Sequence, residues 1–335
     1  MSVLDGLPAA YERLLREVAA EFGDEPRATC GDCALKPRPG VPEGAPWAPV
    51  FSARARCCTY HPRLPAHLVG RALRRGGEGA ARIRARLHEP DGVSAEGIRP
   101  HTRHREAYAT GGGFGVDDAL TCPYWSEAAP EGRGCSIHAD RDAICRTWHC
   151  KREQGARGHA AWLALRDLMT TVQATLVEVA APEGPPGEGA SVEAWEAWFL
   201  ACADAVDALA PDVVDALRGE RYDVLVAAVR ARVAERDVPM PDIVIPTVRA
   251  WARHQRGVTL CSWAGFDPID TPSWIFQLLA RLDGHTPWRE AAAATEAEVG
   301  EPVADLVVTL YRRAVLGPPE HVDVSPGLTV LPSPQ

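Results

Sequence analysis

Eight of the ten cysteines in this 335-residue chain fall between positions 30 and 150. They read Cys30-x2-Cys33, Cys57-Cys58, Cys122, Cys135 and Cys145-x4-Cys150, while Cys202 and Cys261 stand alone. Proline and glycine crowd the same region, as in "KPRPGVPEGAPWAP" from 36 to 49, so no regular periodicity organises it. Small irregular segments usually need a cross-link to fold. In a reducing compartment that link is metal rather than disulfide, and ten cysteines are too sparse here for a disulfide scaffold. Reading the eight as unrelated core thiols would make cysteine a filler where there is least core to fill.

The spacing carries chemistry of its own. A C-x2-C pair lets two thiolates reach one ion from a tight turn, and the glycine of "CGDC" favours that turn. In extended backbone Cys57 and Cys58 project to opposite sides, which suits two centres better than one. The eight thiols then divide into two four-ligand sets, or into one cluster plus a site that takes in histidine. His61 and His138 follow Cys58 and Cys135 at C-x2-H spacing, and His149 abuts Cys150. Thiolates suit zinc and iron–sulfur clusters alike, so the metal stays open between zinc and iron.

Other chemistries find little support. The chain has no G-x-S-x-G, H-E-x-x-H or Walker sequence, and no strand-following G-x-G-x-x-G. "GGGFG" at 111 to 115 lacks the strand, helix and Lys-Ser/Thr pair of a phosphate cradle and reads as a turn. A net charge of −9 argues against nucleic acid as the main partner. Residues 71 to 105 depart from that balance, with nine arginines against four acidic residues. The favoured reading is a helix face complementing acidic neighbours; the sharper one is a docking patch for an acidic partner or anionic cofactor.

Apolar residues make up 46% of the chain, enough for a sizeable core. The fold expected is mainly α (α+β): an irregular metal-stapled cysteine-rich domain with flanking helices, plus a C-terminal helical, winged-helix-like module. Leu4, Leu7, Tyr11, Leu14, Leu15, Val18 and Phe22 recur at helical spacing, placing an amphipathic helix over 3 to 22 within an N-terminal segment 1–28. Charges interrupt that segment too often for a signal peptide. No apolar run reaches the ~18 residues of a membrane span, so the expected location is the cytoplasm. The cysteine-cluster domain follows over 29–180, with helices broken at Gly76 and Gly77 and a long helix over 159 to 181.

Residues 181–191, "APEGPPGEGA" and Ser191, read as a linker and domain boundary, followed by a helical pair over 192–236. The last module, 237–325, opens with a hairpin turning near Gln255 to Gly257. Three helices come next: one ending at Asp283-Gly284, a short one from Thr286-Pro287, and a long one ending at Gly317-Pro318. Cys202 and Cys261 read as buried small hydrophobes.

Four blocks together resemble the YkgJ-type cysteine-cluster family of zinc- or iron-chelating domains: "CGDC", "CCTYHPRLPAHLVGRAL", "CPYW" and "GCSIHADRDAICRTWHCK". The family's closing pattern maps onto Cys135, Ile137, Arg141, Cys145, Arg146 and Cys150, with Asp142 where the family commonly has proline. The resemblance covers about residues 29 to 180. It implies metal chelation or an iron–sulfur cluster, and a likeness of some members to flagellin lysine N-methylases implies, as an alternative, an enzyme that modifies a peptide or protein. The C-terminal module, through "LDG" at 282 to 284 and its helical periodicity, is similar to PqqD-type winged-helix modules, which implies a protein or peptide partner.

Overall fold

A computed structural model describes residues 2–23, 51–52, 54, 56–89, 91–111, 113–127, 134–148, 155–187, 189–264 and 267–319. Cys30, Cys33, His149 and Cys150 lie outside the described residues, as does the proline-rich stretch from 36 to 49. Among the described residues the chain is mainly helical, with short strands between, as its pattern predicts. It divides into two compact units, one of residues 1–32, 51–149 and 162–231, the other of 33–50, 150–161 and 232–335. No described helix is long and apolar enough to cross a membrane.

In the first unit α1 (Ala9–Ala20) begins six residues later than the periodicity suggests. Gly6 sits at φ +80° and Pro8 takes the N-cap, and the residue before a proline is steered away from helix. All seven apolar residues of the predicted stripe are nevertheless buried. The strand β1 (Leu64–Pro65) leads into α2 (Ala66–Arg75), and α3 (Gly77–Leu87) follows after a break at Gly76, φ +74°. Next come β2 (Val93–Ser94) and β3 (Gly97–Ile98), which complete a small antiparallel sheet ordered β1-β3-β2. Further along are α4 (Thr102–Gly111), the antiparallel pair β4 (Trp125–Ser126) and β5 (Gly134–Cys135), α5 (Ala143–Thr147) and α6 (Gly155–Ala180), of which residues 162–180 belong to this unit.

On α6 the residues Trp162, Leu165, Leu168, Met169, Val172 and Leu176 are buried as the pattern predicts, whereas Val179, assigned to the same face, is exposed. The segment 181–191 is not a boundary between compact units. It joins α6 to α7 (Val192–Asp207), and α7 packs on α2 within the first unit. The helix expected from Pro211 onward is two, α8 (Pro211–Ala216) and α9 (Glu220–Arg236), interrupted around Gly219.

The α2–α7 contact explains the arginine-rich segment. Arg71 and Arg74 both bond Asp207, Arg74 also bonds Asp204, and Arg84 bonds Glu196. Arg75 reaches the buried Asp140 at 2.7 Å. These arginines therefore complement acidic neighbours of their own chain, the favoured reading. The exposed pairs, those to Asp204, Asp207 and Glu196, contribute at most about 1 kcal/mol each, so the apolar seam of Val69, Leu73, Trp198, Phe199 and Cys202 carries the packing.

In the second unit β6 (Ile245–Pro246) precedes β7 (Ala250–His254), β8 (Gly257–Cys261) and β9 (Ile269–Thr271), which form an antiparallel sheet in that order. The β7–β8 hairpin turns where predicted; β9 was missed, because a three-residue strand carries too little alternation to read. The helices α10 (Ile275–Arg281), α11 (Trp288–Val299) and α12 (Ala304–Arg312) then pack a core of Val258, Leu260, Leu278, Val303, Val307 and Leu310. The predicted lengths of the last two are reversed. Gly300 at φ +73° ends α11 only after 12 residues, and α12 stops at Arg312 because β10 (Leu316–Gly317) pairs with β6. Cys202 and Cys261 are buried as expected.

Two consequences are measurable. A Cβ on Gly70 would lie 1.9 Å from the Phe199 carbonyl oxygen, so α2 and α7 approach closely only over glycine. Gly70→Ala is expected to cost about 1–3 kcal/mol or more in denaturant unfolding, as overpacking does. The second concerns His67, which is buried with its Nε2 2.8 Å from the Tyr11 hydroxyl and is held down to about 3 by burial, with Arg71 adding. From pH 6.5 down to about 3 the unfolded chain takes up a proton that the folded chain refuses, so stability falls as pH drops through that window. The loss is on the order of 5 kcal/mol, and His67→Gln should flatten the slope in denaturant titrations across that range.

Candidate metal centre

Five of the eight clustered cysteines are described, and local structure rather than chain order brings them near one another. The Cys122 amide donates to the Cys58 carbonyl at 2.6 Å, tying the 56–59 turn to the start of the β4 segment. Trp125 of β4 pairs with Cys135 of β5, and the Ser136 amide donates to the Tyr124 carbonyl at 2.9 Å. Cys145 lies in α5, which Asp142 caps by accepting the Cys145 amide at Oδ1, 2.9 Å. A side-chain acceptor at this position satisfies a donor that the helix itself cannot.

The charges of these groups act on one another. Burial pushes the Cys145 thiol well up, and Asp142, Cys122 and Cys135 push it further. Burial likewise raises Cys122, with Cys135 adding, and it raises Cys135. Asp142 is pushed up to about 6 by burial, against hydrogen bonds from the Cys145 amide and thiol and from the Arg63 amide. Three thiols and a carboxyl thus share one poorly solvated neighbourhood, in which Asp142 disfavours all three thiolates and Cys135 disfavours those of Cys122 and Cys145.

Two features oppose that trend. The Tyr124 amide favours the Cys122 thiolate and the Ile137 amide favours the Cys135 thiolate, each amide lying two residues after its cysteine. Arg82 lies within electrostatic reach of both sulfurs, and Arg141 of Cys135. Amide donors and nearby cations stabilise thiolates, the form that binds metal. The donor set therefore fits a soft or borderline cation, whose charge would offset the mutual repulsion. Cys122, Cys135 and Cys145 would be its holders here, with Asp142 beside them. Among the described residues no group of three or more His, Cys, Asp or Glu side chains is already arranged around a single ion position.

The Cys57–Cys58 pair differs from expectation. It lies in a turn, entered through Arg56 at φ +50°, instead of in extended backbone. Its two side chains hydrogen-bond each other, which is the first cause of the raised Cys57 thiol. The pair thus presents both sulfurs together, and the argument for two separate centres falls away.

His61 stacks on His104 with ring centroids 3.4 Å apart. Its Nε2 lies 3.2 Å from both the Leu120 and Thr121 carbonyls, so that nitrogen carries the proton and donates just before Cys122. Burial, with His104 next, holds the ring down to about 4. Only Nδ1 is left to His61 as a ligand atom. His138 is exposed, and the charges acting on it are those of Arg141 and Arg146. Gly113 and Gly115 form a turn, as predicted, in which the Gly115 amide donates to Thr59 Oγ1 at 2.7 Å.

Two buried residues of this region escaped the candidate list. Asp142 had a readable signal, an aspartate three residues before Cys145 at the start of a short helix. Arg56 had none, since an arginine beside cysteines is ordinarily solvated. No protein-family model, no curated protein and no solved structure matches the chain.

The raised thiols make a kinetic prediction. In metal-free protein at pH 8, Cys122 and Cys145 should alkylate at least ~10-fold more slowly than in the unfolded chain, because each unit of raised pKa removes about nine-tenths of the thiolate. Peptide mapping by mass spectrometry after timed iodoacetamide treatment reads this directly. Equal rates in folded and unfolded protein would show that these thiols share no such environment.

Proposed function

We propose that this chain is a cytoplasmic metal-binding protein. In this reading it chelates zinc or iron, as a single ion or an iron–sulfur cluster, through Cys30, Cys33, Cys57, Cys58, Cys122, Cys135, Cys145 and Cys150. One observation carries the reading: Cys122, Cys135 and Cys145 share one buried neighbourhood, in which backbone amides and guanidinium groups favour the anions of Cys122 and Cys135. A buried set of thiols with that support is costly when empty and favourable around a cation. The YkgJ-type resemblance read from the same cysteines points the same way.

Zinc held by four thiolates would be structural, whereas an iron–sulfur cluster would supply electron transfer. The ion pairs that occupy Arg71, Arg74, Arg75 and Arg84 lend no support to a basic substrate groove. They favour chelation over the protein-modifying enzyme. The second unit is assigned to recruiting a protein or peptide partner. Its sheet has β7 and β9 as outer strands, and an extended peptide adds most readily to such an edge.

The test is purification without oxygen, followed by a visible spectrum and by zinc, iron and sulfide determinations per chain. Brown protein with iron and sulfide, or colourless protein with zinc, is the expected result, and Cys145→Ser should lose most of the metal in either case. Wild-type protein without either metal, its clustered thiols titrating freely, would overturn the proposal.

A further inference from the structure

Arg56 is only 5% exposed, yet among the described residues its Nε and Nη1 are buried without a hydrogen-bond partner. A buried guanidinium ordinarily exhausts its donors. Arg146 in the same unit, 2% exposed, bonds the carbonyls of Val3, Asp5, Ala139 and Arg141. Arg86, 8% exposed, bonds those of Glu89, Asp91 and Arg99. Arg56 has no such set, and its backbone is held at φ +50°, a region that non-glycine residues seldom occupy and that costs free energy. Burying a cation with unmade bonds is unfavourable, so the position is costly unless an anion completes it.

The anion is indicated by what lies next to it. Arg56 immediately precedes Cys57 and Cys58, whose side chains are turned toward each other, and Cys58 is tied through its carbonyl to the Cys122 amide. Four thiolates around a divalent ion carry roughly two net negative charges. A buried centre of that kind needs a counter-charge. We propose that Arg56 is a cation built into the cluster to bind its metal-loaded, anionic form, supplying both the counter-charge and two hydrogen-bond donors. This rests on the chelating function proposed above. The field of Arg56 at the Cys57 sulfur, which favours the thiolate, is in keeping with it.

The proposal makes two effects of one substitution run in opposite directions. Removing an unpaired buried charge should stabilise the metal-free protein, while removing the counter-ion should weaken the loaded one. For Arg56→Met, the metal-free unfolding midpoint should therefore rise by about 2–4 °C. In competition with a chromophoric chelator, added zinc should be lost about 10- to 100-fold more readily than from wild type. Arg56→Lys, which keeps the charge but not the planar donors, should retain zinc better than Arg56→Met and less well than wild type. It reads the same competition should the methionine variant fail to fold.

Zinc retention equal to wild type in both variants would overturn the proposal. So would a lowered metal-free midpoint in Arg56→Met, which would mark Arg56 as an ordinary packing residue. Wild-type protein that holds neither added zinc nor native metal would instead overturn the chelating function itself, and Arg56's assignment with it.

Discussion

The arrangement of the first unit depends on the guanidinium of Arg146. Its nitrogens reach the carbonyls of Val3 and Asp5 on one side and of Ala139 and Arg141 on the other, so one side chain joins the N-terminal segment to the turn between Cys135 and Cys145. A hydrogen bond to a charged group contributes about 1.5–3 kcal/mol when buried. No apolar residue could replace it, because each carbonyl would then be buried without a donor. Asp140, itself 1% exposed and bonded to Arg75, adds a compensating charge next to Arg146. A five-residue helix has no stability of its own, so Cys145 stands where Arg146 and the Asp142 cap put it.

That dependence orders the electrostatics around the thiols. Arg146 spends its donors on carbonyls and leaves little for sulfur, whereas Arg82 and Arg141 act on Cys135 from nearby and Arg56 acts on Cys57. The cations of this region therefore differ in degree: Arg146 is buried on four carbonyls, whereas Arg82 and Arg141 bond the Pro123 and His138 carbonyls and also act on Cys135. Sequence proximity does not separate them. Arg141 and Arg146 lie five residues apart in one motif, and only the second is buried against carbonyls on this scale.

What the sequence made legible follows from the range of the forces involved. Helical stripes were readable because burial repeats with the backbone period: Leu14, Leu15 and Val18 of α1 and Leu165, Leu168 and Met169 of α6 are buried as the pattern requires. The glycine break between α2 and α3 and the hairpin at 255–256 were readable for a similar reason, since the constraint is local. The segment 181–191 misled because proline and glycine mark irregular chain whether or not a unit ends there. The close approach at Gly70, which packs α7 back on α2, is a contact across more than a hundred residues and leaves no local trace. The same limit applied at the candidate site. Cysteine spacing showed which residues to consider, but the turn that faces Cys57 toward Cys58, and the burial of Arg56 and Asp142, are tertiary facts.

The first unit also bears on how far a metal could be responsible for its fold. Its core consists of residues such as Leu64, Val69, Leu73, Ile83, Ile98, Trp198 and Phe199, with Cys122 at the edge and Cys58 and Cys135 packed against it. Those helices meet over apolar surface and need no ligand to do so. The segments that carry the described thiols are another matter: two-residue strands, turns and one five-residue helix, held by single hydrogen bonds and by Arg146. Their thiols and the Asp142 carboxyl are buried together, so they are where a bound cation would add most to stability. A metal here would act on a frame that is already built, fixing its least regular part. On that view the buried Cys122, Cys135 and Cys145 thiols would have to give up their protons for an ion to bind, and the amides and arginines around Cys122 and Cys135 offset part of that cost.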